Sequence, residues 1–126
     1  MMERQYLTVT MLNRYLKTKI DSDALLQNLL IKAEISNFKR HSRGHLYLSL
    51  KDENSQINAI MFSSNARSLN FEPKDGDKVV VEGYLSVYEV SGQYQVYLTK
   101  MSIEGTGDLY LAYEKLKKTL AEKGYF

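Results

Sequence analysis

The chain has 126 residues, a net charge of +2, no Cys and a single Pro. That length suits one domain with a hydrophobic core of its own, and the missing Cys excludes disulfides and cysteine-based metal or nucleophile chemistry. No stretch approaches the ~20 apolar residues of a membrane span, and the N-terminal Met-Met-Glu-Arg-Gln-Tyr-Leu lacks the apolar run of a signal peptide, which makes the cytoplasm the default compartment.

Residues 1–28 read as an N-terminal helical segment. Thr8 or Thr10 caps a first helix, and Met11, Leu12, Tyr15, Leu16 and Ile20 form its apolar face at helical spacing. The simplest use of that face is a lid on the core. Asp21-Ser22-Asp23 ends the helix and caps a short turn through Ala24–Asn28.

Residues 29–104 alternate with a period of two, the signal of strands with one buried face. In the first strand Leu29, Ile31, Ala33 and Ile35 form the core face; in the second, Leu46, Leu48 and Leu50; in the third, Ile57, Ala59 and Met61. The segment Asn37–Gly44 between the first two strands reads as a loop. Ser63–Asn70 is polar, with Ala66 and Leu69 three apart, and suits a short helix. Pro73 and the Asp75-Gly76-Asp77 turn launch the fourth strand, where Val79, Val81, Leu85 and Val87 share a face with Gly83. A glycine at such a position marks a bulge or a sharp bend. Val90-Ser91-Gly92 is a hairpin turn into a fifth strand, Gln93 to Ile103. There Met101 and Ile103 fall on the opposite parity to Val96 and Leu98, which predicts a bulge near Lys100. Asp108 caps a C-terminal helix over 108–124 with Leu109, Ala112, Tyr113, Leu116 and Leu120 on one face.

Five short strands with a helix between the third and fourth, and helices at both ends, is the order of a mainly-β OB-fold, a Greek-key barrel. Its ligand surface is made by strands two and three with the loops between strands one and two and between four and five. The first of those loops holds Lys39, Arg40 and Arg43 and no acid, leaving fourteen basic residues against fifteen acidic ones elsewhere. Positive charge focused in this way attracts polyanions.

Around the loop sit groups that complement such a ligand. Phe38, Tyr47 and Phe62 are candidate stacking platforms, since every base has a π-face. For Tyr47 the alternative is a cross-strand pair packed under the first helix, and for Phe62 a strand end tucked into the core. Lys39, Arg40 and Arg43 suit phosphates, and Gly44 lets the loop turn close to a backbone. His41 and His45 lack the third ligand a metal needs and suit hydrogen bonding or stacking. Tyr84, Tyr88, Tyr94 and Tyr97 form an aromatic set on strands four and five, placed either at the core edge or along a nucleic-acid channel. No nucleophile–base set is present, Asp75 and Asp77 read as turn chemistry, and no metal or cofactor is expected.

The motifs Glu34-Ile35-Ser36-Asn37-Phe38-Lys39, Ser42-x-Gly44-His45-x-Tyr47-x-x-Leu50-Lys51-Asp52 and Ala59-x-Met61-Phe62 resemble the N-terminal domain of the exodeoxyribonuclease VII large subunit. So do Phe71-Glu72-Pro73-x-Asp75-Gly76 and Tyr88-Glu89-x-x-Gly92-x-Tyr94-Gln95, so that the likeness runs from Leu7 to Phe126. Arg43 is an extra charge in the motif, and Val90 stands where members often carry Pro. The resemblance implies an OB-fold that binds single-stranded DNA within a larger nuclease, together with a small helical subunit as partner. The hydrolytic domain would follow the last helix, so residues 1–126, as one domain, would not cut DNA alone. The apolar stripe of that helix would also offer a surface for self-association. Two other readings remain compatible with the residues: an RNA-binding OB module, and a protein-docking barrel with no nucleic-acid role.

Overall fold

The computed structural model of the protein describes residues 4–104. In chain order these are helix α1 (Val9–Asp21), strands β1 (Leu29–Arg40), β2 (Leu46–Lys51) and β3 (Gln56–Met61), the helical turn α2 (Ser63–Ala66), and strands β4 (Lys78–Tyr88) and β5 (Gln93–Ile103). The strands close a barrel in the order β1-β2-β3-β5-β4, with β1 hydrogen-bonded to both β2 and β4. Only β3 and β5 run parallel; the other neighbours are antiparallel. This is the expected mainly-β, five-stranded barrel.

The core follows the alternation read from the sequence. Ile35, Leu46, Leu50, Met61, Val79, Val81, Val96 and Leu98 are almost completely buried. Leu29, Ile31 and Ala33 of β1 pack against that cluster from its margin. The parity change in β5 is a bulge: Glu82 pairs with Lys100 but Gly83 with Leu98, so Thr99 is the extra residue. Its hydroxyl donates to the Glu82 carbonyl at 3.1 Å. The bulge returns Met101 to the inside, where it is buried.

Opposite the bulge, Gly83 is required by close approach. A Cβ there would sit 2.2 Å from the Tyr97 carbonyl oxygen. Gly83 pairs with Leu29 on one side and Leu98 on the other.

Three expectations are corrected. The helix foreseen over Ser63–Asn70 is a single turn, Ser63–Ala66, with no side-chain cap at its start. β1 continues through Asn37–Arg40, so the first loop spans only residues 41–45. The apolar face of α1 is also no lid. The helix starts at Thr8, whose hydroxyl accepts from the Met11 N–H at 3.0 Å, yet none of its residues is buried. Leu12, Tyr15 and Leu16 remain exposed.

α1 docks instead through polar groups on the β4–β5 hairpin. The Asn13 amide donates to the Glu89 carbonyl at 2.9 Å, and the Ser86 hydroxyl donates to Asp21 at 2.7 Å. Lys17 bridges Asp21 and Ser86. Gly92, in a left-handed conformation at the hairpin, leaves room for the Asn13 side chain. The C-terminal helix foreseen over 108–124 lies outside the described residues.

Gly83→Ala is therefore expected to cost about 1–3 kcal/mol or more, read as a lower urea midpoint, because the added carbon meets backbone and not a flexible side chain. A second expectation concerns acid. The Lys17 ammonium, and then the Ser86 hydroxyl, hold the Asp21 carboxyl below the usual carboxylate range. Its contribution is complete above the unfolded value, about pH 4, and disappears as pH falls through the lower folded value. Amide exchange in α1 should then rise on acidification before the barrel loosens, and Asp21→Asn should remove that pH dependence.

Candidate nucleic-acid interface

The site starts from an irregularity in β1. Ser36 pairs with Ser49, but Lys39 pairs with Tyr47, so β1 carries one extra residue there. Asn37 takes a positive φ of 51°, a left-handed conformation that Asn tolerates better than most residues. The Phe38 N–H, which the bulge takes out of the ladder, donates to the Asp75 carboxylate at 2.8 Å. Asp75-Gly76-Asp77 is thus a structural turn that also holds the bulge; the Gly76 N–H bonds the Ile35 carbonyl and the Ile35 N–H the Asp77 carbonyl.

The bulge reverses which side chains face outward. Plain alternation from Ile35 would turn Phe38 out. Here its ring is half-buried and packs against the barrel core. Lys39 takes the outward position beside Tyr47.

From Lys39 a row of paired residues crosses the outer surface: Lys39 with Tyr47, Tyr47 with Ile60, Ile60 with Tyr97, and Tyr97 with Tyr84. Ile60 is outside the core cluster yet only 5% exposed. Tyr84 and Tyr97 stack at 5.2 Å between ring centres, and Phe62 stacks on Tyr97 at 5.8 Å. His45 meets the edge of Phe62, and His41 the edge of Tyr47. Tyr47 and Phe62 keep about two-fifths of their surface open, at 41% and 40%. They are the more exposed Tyr and Phe rings of this group.

The short loop after β1 is held by its own backbone. The His41 N–H bonds the His45 carbonyl at 2.8 Å, and the Gly44 N–H bonds the His41 carbonyl at 2.9 Å. His45 Nδ1 accepts from the Ser63 N–H at 3.0 Å, which ties the loop to α2 and places the imidazole proton on Nε2. Gly44 has φ 89°, and a Cβ there would sit 3.2 Å from the Ser63 Cβ.

Of the basic groups, Arg40 is paired with Glu72 at 2.9 Å. Lys39 and Arg43 have no carboxylate partner among the described residues. Arg67, just after α2, is a cation that sequence reasoning missed. Its Nε bonds the Ser63 carbonyl at 3.3 Å, and with Arg40 and Arg43 it lines one open groove. The signal was available only through the fold: α2 had to be placed beside the first loop.

Tyr88 and Tyr94 stand apart from this group. Both are exposed and flank the β4–β5 hairpin. Because β3 and β5 run parallel, that hairpin lies near the start of β3, while the basic loop lies at its end.

A family model described as an OB-fold nucleic acid binding domain matches residues 7–102. The chain belongs to that family. This OB-fold domain is 58% identical over 125 residues to the exodeoxyribonuclease 7 large subunit of Bacillus cytotoxicus and 57% identical to that of Bacillus cereus strain B4264. The match takes in 99% of the chain but spans only 28% of those relatives. Among solved structures, the OB-fold domain superimposes on a chain of a replication protein A heterotrimer bound to ssDNA with a TM-score of 0.53. That match is 19% identical, covering 79% of this chain and 74% of the other, and speaks to the fold alone.

The placement of Phe38 leads to an expectation of its own. Phe38→Ala should lower folding stability by about 1–3 kcal/mol in urea unfolding, less than the ~3–5 of a fully buried Phe. Tyr47→Ala, which removes an open ring, should leave stability within about 0.5–1 kcal/mol of the parent chain.

Proposed function

We propose that this chain is the single-stranded DNA-binding domain of a nuclease of the exodeoxyribonuclease VII large-subunit type. The parent protein would hydrolyse single-stranded DNA into oligonucleotides. Residues 1–126 form its one OB-fold unit and carry no part of the hydrolysis. The catalytic part, and the surface on which the small subunit assembles, belong to other regions of the parent.

The observation that carries this reading is the row from Lys39 through Tyr47 to Tyr84, with the arginine groove at its end. Stacking on Tyr47 and Phe62 needs unpaired bases, and phosphate contacts need only a backbone. His41 and His45 set the two rings by edge contacts, and Gly44 shapes the loop beside them. Tyr88 and Tyr94 extend the surface toward the hairpin. The names of the relatives, which span more than this domain, point the same way.

Fluorescence anisotropy with labelled dT12 over a salt series tests the proposal. Lys39, Arg43 and Arg67 are the basic groups of the site without a carboxylate partner among the described residues. At about −0.7 each for a single strand, they give a slope of log affinity against log salt of about −2. Tyr47→Ala and Phe62→Ala should each cost about 1–3 kcal/mol of binding with the slope intact, because stacking releases no counterions. Duplex DNA should compete poorly, because its bases are not free to stack. Equal binding of duplex and single strand would reduce the site to a polyanion patch, and tighter binding of RNA would give the domain to the RNA-binding reading.

A further inference from the structure

The groove beside the loop is more specific than a basic surface. Its cations come from three separate places: Arg40 from the end of β1, Arg43 from the loop and Arg67 from the residue after α2. Its volume is about 470 Å³, within the ~300–1,000 Å³ range of ligand sites. Gly44 and Ser63 line it as well, at the point where loop and α2 backbones approach. The His45–Ser63 bond joins those two walls. A groove held this way loses little conformational freedom when it is filled.

The arginines are not equivalent. Arg43 has no hydrogen bond or ion pair among the described residues. Arg67 uses Nε on the Ser63 carbonyl, which fixes the plane of its guanidinium and leaves the two terminal nitrogens to donate. Arg40 is held by Glu72, but that carboxylate is 88% exposed. Surface pairs of this kind contribute little, whereas a phosphate can accept from several guanidinium donors at once.

We propose that Arg40, Arg43 and Arg67 form a phosphate-binding subsite at the end of the aromatic row, in which Glu72 is an internal competitor for Arg40 that the ligand displaces. The subsite rests on the single-strand reading above and adds two things to it. Arg67 becomes a ligand-contacting residue, and the acid facing Arg40 works against binding. The recognised chemistry is a nucleic-acid phosphate, either an internal phosphodiester or a terminal phosphomonoester.

The test uses the full 126-residue chain and labelled dT12 with a 5′-phosphate, a 3′-phosphate or neither. Arg67→Ala should flatten the salt slope by about 0.7, which corresponds to about fivefold weaker binding at 0.1 M salt relative to 1 M. Glu72→Gln should do the reverse: up to about fivefold tighter binding and a slope steeper by about 0.7, because Arg40 no longer gives up a partner. Arg14→Ala, on α1 and away from the groove, should match the parent. Arg67 and Glu72 are exposed, and thermal unfolding of each variant checks that the barrel is intact. Equal affinity for the three oligonucleotides assigns the groove to internal phosphodiesters. A gain for one phosphorylated end that Arg67→Ala removes assigns it to the terminal group.

If the parent chain binds single strands while Arg67→Ala and Glu72→Gln are silent, the subsite is overturned and the single-strand reading stands. If Arg14→Ala weakens binding as much as Arg67→Ala, the groove has no special role and the subsite is likewise overturned. If the parent chain binds no single strand at all, both fall together.

Discussion

The double pairing of β1 is the constraint on which the rest of this domain depends. Its first half, Leu29–Glu34, is laddered to β4, and the stretch Glu34–Arg40 is laddered to β2. The strand passes from one partner to the other at Glu34. Just beyond, at Asn37 and Phe38, one residue is added and the backbone turns left-handed. The Asp75 carboxylate takes up the N–H that leaves the ladder. That hydrogen bond ties the bulge to the turn before β4, so the β1 edge that leads into the basic loop is held by the segment that launches β4.

The outer surface inherits its order from the same event. Phe38 goes inward and Lys39 comes out beside Tyr47, at the head of a row that crosses every strand. Ile60 fills the middle of that row, between Tyr47 and Tyr97 in the ladder, and is buried although it lies outside the core cluster. Tyr84, Tyr97 and Phe62 spend ring faces on one another, which leaves Phe62 and Tyr47 as the surfaces open to a ligand.

Charge is distributed by contact more than by count. Lys39, Arg40 and Arg43 lie close together in sequence, but Arg40 is paired with Glu72 and Arg67 enters from a different segment. The groove between the loop and α2 thus draws its positive charge from more than the basic segment. α1 shows the same logic in reverse. It holds to the hairpin through Asn13, Lys17 and Asp21, so its hydrophobic stripe takes no part in forming the barrel.

The sequence by itself determined the core faces of the strands and the fifth-strand bulge, and it marked Gly83 and the basic segment without fixing how either is built. Each of these is local, resting on a period of two, a break in that period, or a turn residue. The family resemblance extended that reading to a nucleic-acid-binding barrel. Only the tertiary structure decided which way Phe38 points, because the bulge is held by a carboxylate 37 residues away. It likewise decided that α1 attaches by its polar side, that Glu72 faces Arg40, and that Arg67 joins the groove. Those are contacts between segments far apart in the chain, and they are set by how the barrel closes, which no spacing within a single segment records.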